Sequence, residues 1–135
     1  MDGWAGSTLE KVSRTYRNPP MGPANQPDYL NAVAALRTTL SPLELLDALQ
    51  GLEQAAGRIR AGRRWCARSL DLDLLLYDEL RIDQPRLQIP HPGVHRRAFV
   101  IHPLAEIAPE ALVPGHGRAA AIAAHTDASM LTALL

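Results

Sequence analysis

The chain has 135 residues, 47% of them apolar, enough for one compact domain and too few for two. Lys plus Arg and Asp plus Glu are both 14, so no global charge draws the chain to nucleic acid or an anionic membrane, and any basic function has to be local. The one cysteine, Cys66, excludes an intrachain disulfide framework; no run approaches the ~18 apolar residues of a membrane span, and the expected setting is soluble and cytoplasmic.

From Leu9 to Arg17 the residues alternate loosely, Val12, Arg14 and Tyr16 against Lys11, Ser13 and Thr15, until Asn18-Pro19-Pro20 stops them. This predicts an edge strand followed by a stiff loop. That loop, PPMGPANQP, is rich enough in proline to be ordered by restricted dihedrals, and a ligand can rest on such a backbone. Tyr29 to Leu40 has period two, with Tyr29, Asn31, Val33 and Ala35 on one face, and predicts a strand buried on both sides. Ser41-Pro42-Leu43-Glu44 reads as a helix start: Ser as N-cap, Pro at the first helical position and Glu completing a capping box. Leu45, Leu46, Leu49, Leu52 and Ala56 continue at helical spacing, and Gly57 is placed to end the helix.

Between Gln54 and Leu70 there is no acidic residue, whereas Arg58, Arg60, Arg63, Arg64 and Arg68 all fall inside it. Its period is neither 2 nor 3.6, which predicts a long functional loop. Leu70 to Tyr77 then reads as a strand with Asp71 and Asp73 on one face, Leu80 to Ile89 as a small hairpin, and Arg96 to Ile107 as a helix after the turn at Pro90-His91-Pro92. The Ala-rich stretch from Arg118 predicts a further helix.

Two aspartates two residues apart on a strand leave the same face with Cα atoms roughly 6.5 to 7 Å apart, so both can reach one pair of divalent ions. Carboxylates, water and phosphate oxygens are what Mg²⁺ prefers. An ordinary half-exposed strand also alternates acid and leucine, but here Leu75 and Tyr77 continue the acidic face with apolar groups. An aspartyl phosphatase is disfavoured by order: its DxD ends a hydrophobic strand, and here the apolar residues follow the pair. Arginines leading into two carboxylates suit a nucleotide triphosphate, because guanidinium forks grip phosphate oxygens while Mg²⁺ bridges others. A solvated basic loop and an RNA-binding patch are the competing readings; only Trp65 offers that patch a stacking platform, and no nucleic-acid partner is expected. No Walker lysine motif occurs. His91 and His95 have the spacing of a zinc pair, but Pro92 lies between them without a cysteine cluster.

The segment Gly57 to Leu76, GRIRAGRRWCARSLDLDLLL, resembles the signature of the hydroxymethyldihydropterin pyrophosphokinases. Tyr16 to Pro23 and Gln26 to Asn31 are similar to that family's pterin-side loop and strand. Ile89-Pro90-His91, Arg97-Ala98-Phe99 and Pro103 to Pro109 match its C-terminal half, in order and spacing. Cys66 and Ala67 stand where the family usually has Gly or Ala and often Pro.

The resemblance implies a ferredoxin-like α+β fold, an antiparallel sheet with helices on its faces, and pyrophosphate transfer from Mg-ATP to a pterin alcohol. It implies that Asp71 and Asp73 hold two Mg²⁺ ions, that Arg58, Arg60 and Arg68 hold ATP phosphates, and that Trp65 rides on a loop closing over the site. Tyr29 and Phe99 would sandwich the pterin, Asn31 would bond its edge, and Gln50, Glu53, His91 and Arg97 would complete the nucleotide side. The family's opening strand and helix have no counterpart before Leu9, so residues 1–8 read as a non-matching leader and 9–135 as one domain lacking its first βα unit. A truncated, non-catalytic relative that binds nucleotide or pterin is the alternative. A monomer is expected of the full family fold, and an edge-mediated dimer of this shorter chain.

Overall fold

A computed structural model of the chain describes residues 6–18, 29–61 and 71–134, and of residues 57–61 the backbone only. The alternation at the start is cut by Ser13 into β1 (Ser7–Val12) and β2 (Thr15–Asn18), and the period-two run after it is cut by Val33 into β3 (Tyr29–Asn31) and β4 (Ala34–Thr38). The two breaks face each other. Ser13 N–H donates to the Val33 carbonyl at 2.8 Å, and Val33 N–H donates to the buried Ser13 hydroxyl at 2.9 Å. A side-chain oxygen thus replaces one rung of the ladder, Val33 drops into the core, and the pairing continues as two antiparallel ladders, β1–β4 and β2–β3.

The single strand expected from Tyr29 to Leu40, buried on both sides, is therefore two short strands in different sheets. Tyr29 is 44% and Leu30 51% exposed, because among the described residues β3 has a neighbour only on its β2 edge, and β9 (Thr132–Leu134) covers the other edge of β2. β1 begins at Ser7, so the expected leader boundary after residue 8 falls inside a strand.

Helix α1 (Pro42–Ala61) starts with the expected capping box: Ser41 N–H donates to Glu44 Oε1 at 2.8 Å and Glu44 N–H to the Ser41 hydroxyl at 3.2 Å. It does not stop at Gly57. A helical glycine costs only about 1 kcal/mol against alanine, and the helix carries Arg58 and Arg60 to its last turn, so the long loop expected from Gln54 is helical as far as Ala61.

Among the described residues, 71–77 join no ladder, which corrects the strand expected there. They are held by packing: Leu75 and Leu76 meet a core of Val33, Val94, Ile101, Leu104, Ile107, Val113 and Ala119, while Leu74 and Tyr77 meet Leu46, Leu87 and Ile89. The hairpin forms as β5 (Ile82–Asp83) and β6 (Gln88–Ile89), followed by α2 (Ala98–Ile107), the hairpin β7 (Leu112–Val113) with β8 (Gly117–Arg118), and α3 (Ala119–Ala124). Helices and antiparallel ladders make an α+β fold, but among the described residues the ladders form four separate sheets and not one ferredoxin-like sheet.

Glu106 on α2 fastens β2. Its carboxylate accepts from the buried Tyr16 hydroxyl and from the Arg14 main-chain N–H at 2.8 Å, with the Arg14 guanidinium 3.3 Å away. These donors, Tyr16 foremost, hold the Glu106 carboxyl below its usual pKa. Among the described residues no helix is long and apolar enough to cross a membrane.

Candidate active site

Residues 71–77 separate two concavities. One, of about 580 Å³, has β4 on one wall and 71–78 on the other, with Leu45, Leu49, Val100 and Leu104 also lining it. Asn31, Asp71, Asp73, His91, Arg97 and Phe99 all open onto this cavity. The second, of about 930 Å³, is more open and is lined by Gln50, Glu53, Arg86, Arg96 and, again, Asp73, His91 and Arg97. Asp73, His91 and Arg97 thus stand on the boundary between the two.

The apolar residues that follow Asp71 and Asp73 anchor the segment and leave both carboxylates in water: the Asp73 side chain is 59% exposed. Two anchors fix its main chain. Leu72 N–H, from the residue between the aspartates, donates to Glu53 Oε2 at 2.6 Å, and the Leu75 carbonyl accepts from His91 N–H at 2.9 Å. The His91 ring turns toward Asp73, with Nε2 4.0 Å from Oδ2. Because Gly93 N–H donates to His91 Nδ1 at 3.0 Å, that nitrogen is unprotonated and the neutral ring carries its proton on Nε2, facing the carboxylate side.

Arg97 lies over the Phe99 ring, with Cζ 5.9 Å from the centroid, which keeps the cation beside an aromatic face of the first cavity. Gln50 is oriented by Arg86, whose Nη2 donates to Gln50 Oε1 at 3.2 Å and also pairs with Asp47. Asn31 is fixed by β3, its Nδ2 donating to Asn18 Oδ1 at 2.8 Å.

The structure therefore gathers Asn31, Gln50, Glu53, Asp71, Asp73, His91, Arg97 and Phe99 around two adjoining cavities. Tyr29 is not brought to them: it lines neither, at the exposed end of β3. Arg58 and Arg60 have their backbone on the last turn of α1, their side chains lying outside what is described, and Trp65 and Arg68 lie outside the described residues altogether. Gly93 and Arg96 were not singled out by sequence; the only local signal for Gly93 is a glycine directly after Pro92, where the chain turns back on His91.

Chemically, two exposed carboxylates fit Mg²⁺, which takes most of its ligands from water and phosphate and needs few from protein. Among the described residues no three His, Cys, Asp or Glu side chains close a cage. An Nε2–H donor and a guanidinium beside the carboxylates suit the remaining phosphate oxygens.

The chain matches the model of the family described as 7,8-dihydro-6-hydroxymethylpterin-pyrophosphokinase over residues 2–109. It is 52% identical over 106 residues to a 2-amino-4-hydroxy-6-hydroxymethyldihydropteridine pyrophosphokinase of Pseudomonas aeruginosa, a match covering 78% of this chain and 65% of that one. A protein of the same description from Haemophilus influenzae is 53% identical over 106 residues, 78% of this chain and 66% of the other. One from Bacillus subtilis is 42% identical over 103 residues, 76% and 61%. The chain thus spans less than two thirds of the length of these curated relatives.

Proposed function

The chain belongs to the 7,8-dihydro-6-hydroxymethylpterin-pyrophosphokinase family, and from that premise we propose that it transfers pyrophosphate from Mg-ATP to 6-hydroxymethyl-7,8-dihydropterin in the cytoplasm, for folate biosynthesis. The reaction balances as one displacement: the pterin hydroxymethyl oxygen bonds to the β-phosphorus and gives up its proton to water, the bond from that phosphorus to the α,β-bridging oxygen breaks, and AMP leaves. The observation that carries the reading is the meeting of Asp73, His91 and Arg97 at the boundary of two cavities, one bordered by Asn31 and Phe99 and the other by Gln50 and Glu53. Such a boundary lets two substrates meet at one point, and positioning with charge neutralisation is most of what phosphoryl-type transfer requires.

On this reading Asn31 and Phe99 take the pterin, Tyr29 lies on β3 outside both cavities, and Gln50 faces the nucleotide from the second cavity, whose wall also carries Glu53. Arg58, Arg60, Arg68, Arg97 and His91 hold phosphates, with Trp65 covering them. Two Mg²⁺ ions held by Asp71 and Asp73 supply charge neutralisation to the triphosphate. The finer fold we propose is ferredoxin-like, with one more strand of the family domain, lying outside the matched stretch, between β4 and 71–77. The cavity walled by those two segments supports it: the strand would take the part lined by Ala34, Leu36, Leu74 and Leu76 and leave the part lined by Asn31, Asp73 and Phe99 to the pterin. The test is AMP release from Mg-ATP that depends on the pterin alcohol: turnover is expected in wild type and strongly reduced in Asp71→Ala, and equal turnover in the two overturns the assignment.

A further inference from the structure

We infer that Glu53 is a positioning residue for the aspartate pair: its carboxylate holds the peptide between Asp71 and Asp73, and through it the two metal-binding side chains. This deepens the proposed function and rests on it. The resemblance sends Glu53 to the nucleotide; the geometry points to the main chain instead.

Among the described residues, 71–77 have no ladder, so N–H groups such as that of Leu72 take other acceptors. At Leu72 that acceptor is Glu53 Oε2, at 2.6 Å, a charge-assisted bond across 19 residues of sequence. The peptide unit is planar, so a bond at Leu72 N fixes the plane that contains the Asp71 Cα and leaves Asp73 only one residue beyond it. On the far side, His91 N–H on the Leu75 carbonyl fixes the segment a second time. Asp71 and Asp73 thus sit near or between two clamps although both side chains are exposed. Glu53 itself is held on α1 three residues after Gln50, one helical turn along the face that lines the second cavity.

An acceptor role and a charge role predict different variants. Glu53→Gln keeps an oxygen for Leu72 N–H and loses the charge; Glu53→Ala loses both. The readout is Mn²⁺ affinity of the full chain by paramagnetic resonance, with and without a non-hydrolysable ATP analogue, alongside amide hydrogen exchange at Leu72. Losing an outer partner of a metal ligand typically weakens binding ~10–100-fold, so Glu53→Ala is expected in that range with faster Leu72 exchange, and Glu53→Gln well under ~10-fold weaker. If Glu53→Gln falls as far as Glu53→Ala, or if Glu53→Ala leaves Mn²⁺ affinity unchanged, the inference is overturned. Slow Leu72 exchange in Glu53→Ala overturns it even where that variant is poorly folded elsewhere. Asp71→Ala in the same series separates the two levels: unchanged Mn²⁺ affinity there means the metal assignment itself has failed, and a loss there with none in the Glu53 variants means only the positioning role has.

Discussion

His91 meets the Asp73 segment at two points: its main-chain N–H bonds the Leu75 carbonyl at 2.9 Å, and its ring Nε2 faces Asp73 Oδ2 at 4.0 Å, too far for a direct hydrogen bond. The main-chain bond brings the His91 ring beside the aspartate. Gly93 N–H on Nδ1 then commits the proton to Nε2.

His91→Gln can place an amide N–H near the Nε2 position, whereas His91→Asn can replace only Nδ1. A hydrogen bond to a charged group contributes about 1.5–3 kcal/mol, so His91→Asn should lose roughly 10–100-fold in AMP release and His91→Gln visibly less. Equal losses would show that the ring nitrogen has no donor role.

Asp71→Ala and Asp73→Ala each remove a carboxylate from a pair of like charges, so thermal unfolding should be unchanged or slightly raised. Turnover should fall roughly 100-fold or more, since a bound metal's charge contributes several kcal/mol to such a transition state. Near-normal turnover in either variant removes that residue from the metal site.

Gly93 leaves room for Arg97. A Cβ built on Gly93 would lie 2.8 Å from Arg97 Nε and 3.0 Å from its Cδ, closer than packed atoms allow, and the flexible arginine is what must move. Gly93→Ala should therefore alter activity more than stability. In a double-mutant cycle with Arg97→Ala the two losses should be strongly non-additive, because both act through one guanidinium. Additive losses would mean that Gly93 serves the His91 turn alone.

Much of this was legible in the sequence because it is local chemistry. The Ser41/Glu44 capping box, the hairpin from Leu80 to Ile89 and the Ala-rich helix at 119–124 depend on residues a few positions apart, and each formed. What local patterns misjudge is set by distant partners. Nothing in the period-two run at Tyr29 to Leu40 announces that the Ser13 hydroxyl will take the Val33 N–H, and nothing in LDLDLLLY shows that Glu53 will replace a neighbouring strand at Leu72. The gathering of Asp73, His91 and Arg97 followed from matching the order of several motifs, since their mutual distances are fixed only by α1, α2 and the loop between β6 and α2.

Among the described residues, Glu106 and His95 are two whose shifts give stability a pH dependence. Glu106 titrates below its ordinary 4.5 in the fold, held there by the Tyr16 hydroxyl and the Arg14 N–H. The unfolded chain therefore takes that proton first, so the contribution is complete above about 4.5 and is lost as pH falls through the lowered value. Glu106→Gln, which can still accept hydrogen bonds, should flatten that acid limb. His95 is lowered from 6.5 by burial, then by His116, whose ring is stacked on it at 3.7 Å between centroids, and by Arg96. Its neutral form is the folded one, so stability should decline as pH falls below 6.5, and His95→Phe should remove that slope while keeping a ring in the stack. Urea midpoints from pH 7 to pH 3 for the three proteins decide both; unchanged slopes would discard the assignments.

β4 pairs with β1 along one edge, and among the described residues no strand pairs with its other edge. That edge and 71–77 instead face a cavity of about 580 Å³ whose lining includes Ala34, Leu36, Leu72, Leu74 and Leu76. An apolar slot with main chain on both walls accepts an extended strand, which would bond to either wall while burying alternate side chains. Without such a strand, the exposed and half-buried main chain on both walls is left to water or to the edge of a second copy. The 135-residue chain by itself should then self-associate through this edge or unfold with low cooperativity. Supplying an apolar strand that fits this slot should give a monomer with a sharper, higher transition and greater AMP release. Light scattering, thermal unfolding and AMP release on both proteins test this together. A chain that is already monomeric, cooperative and fully active would show that the slot needs no further strand and that the ferredoxin-like completion is wrong.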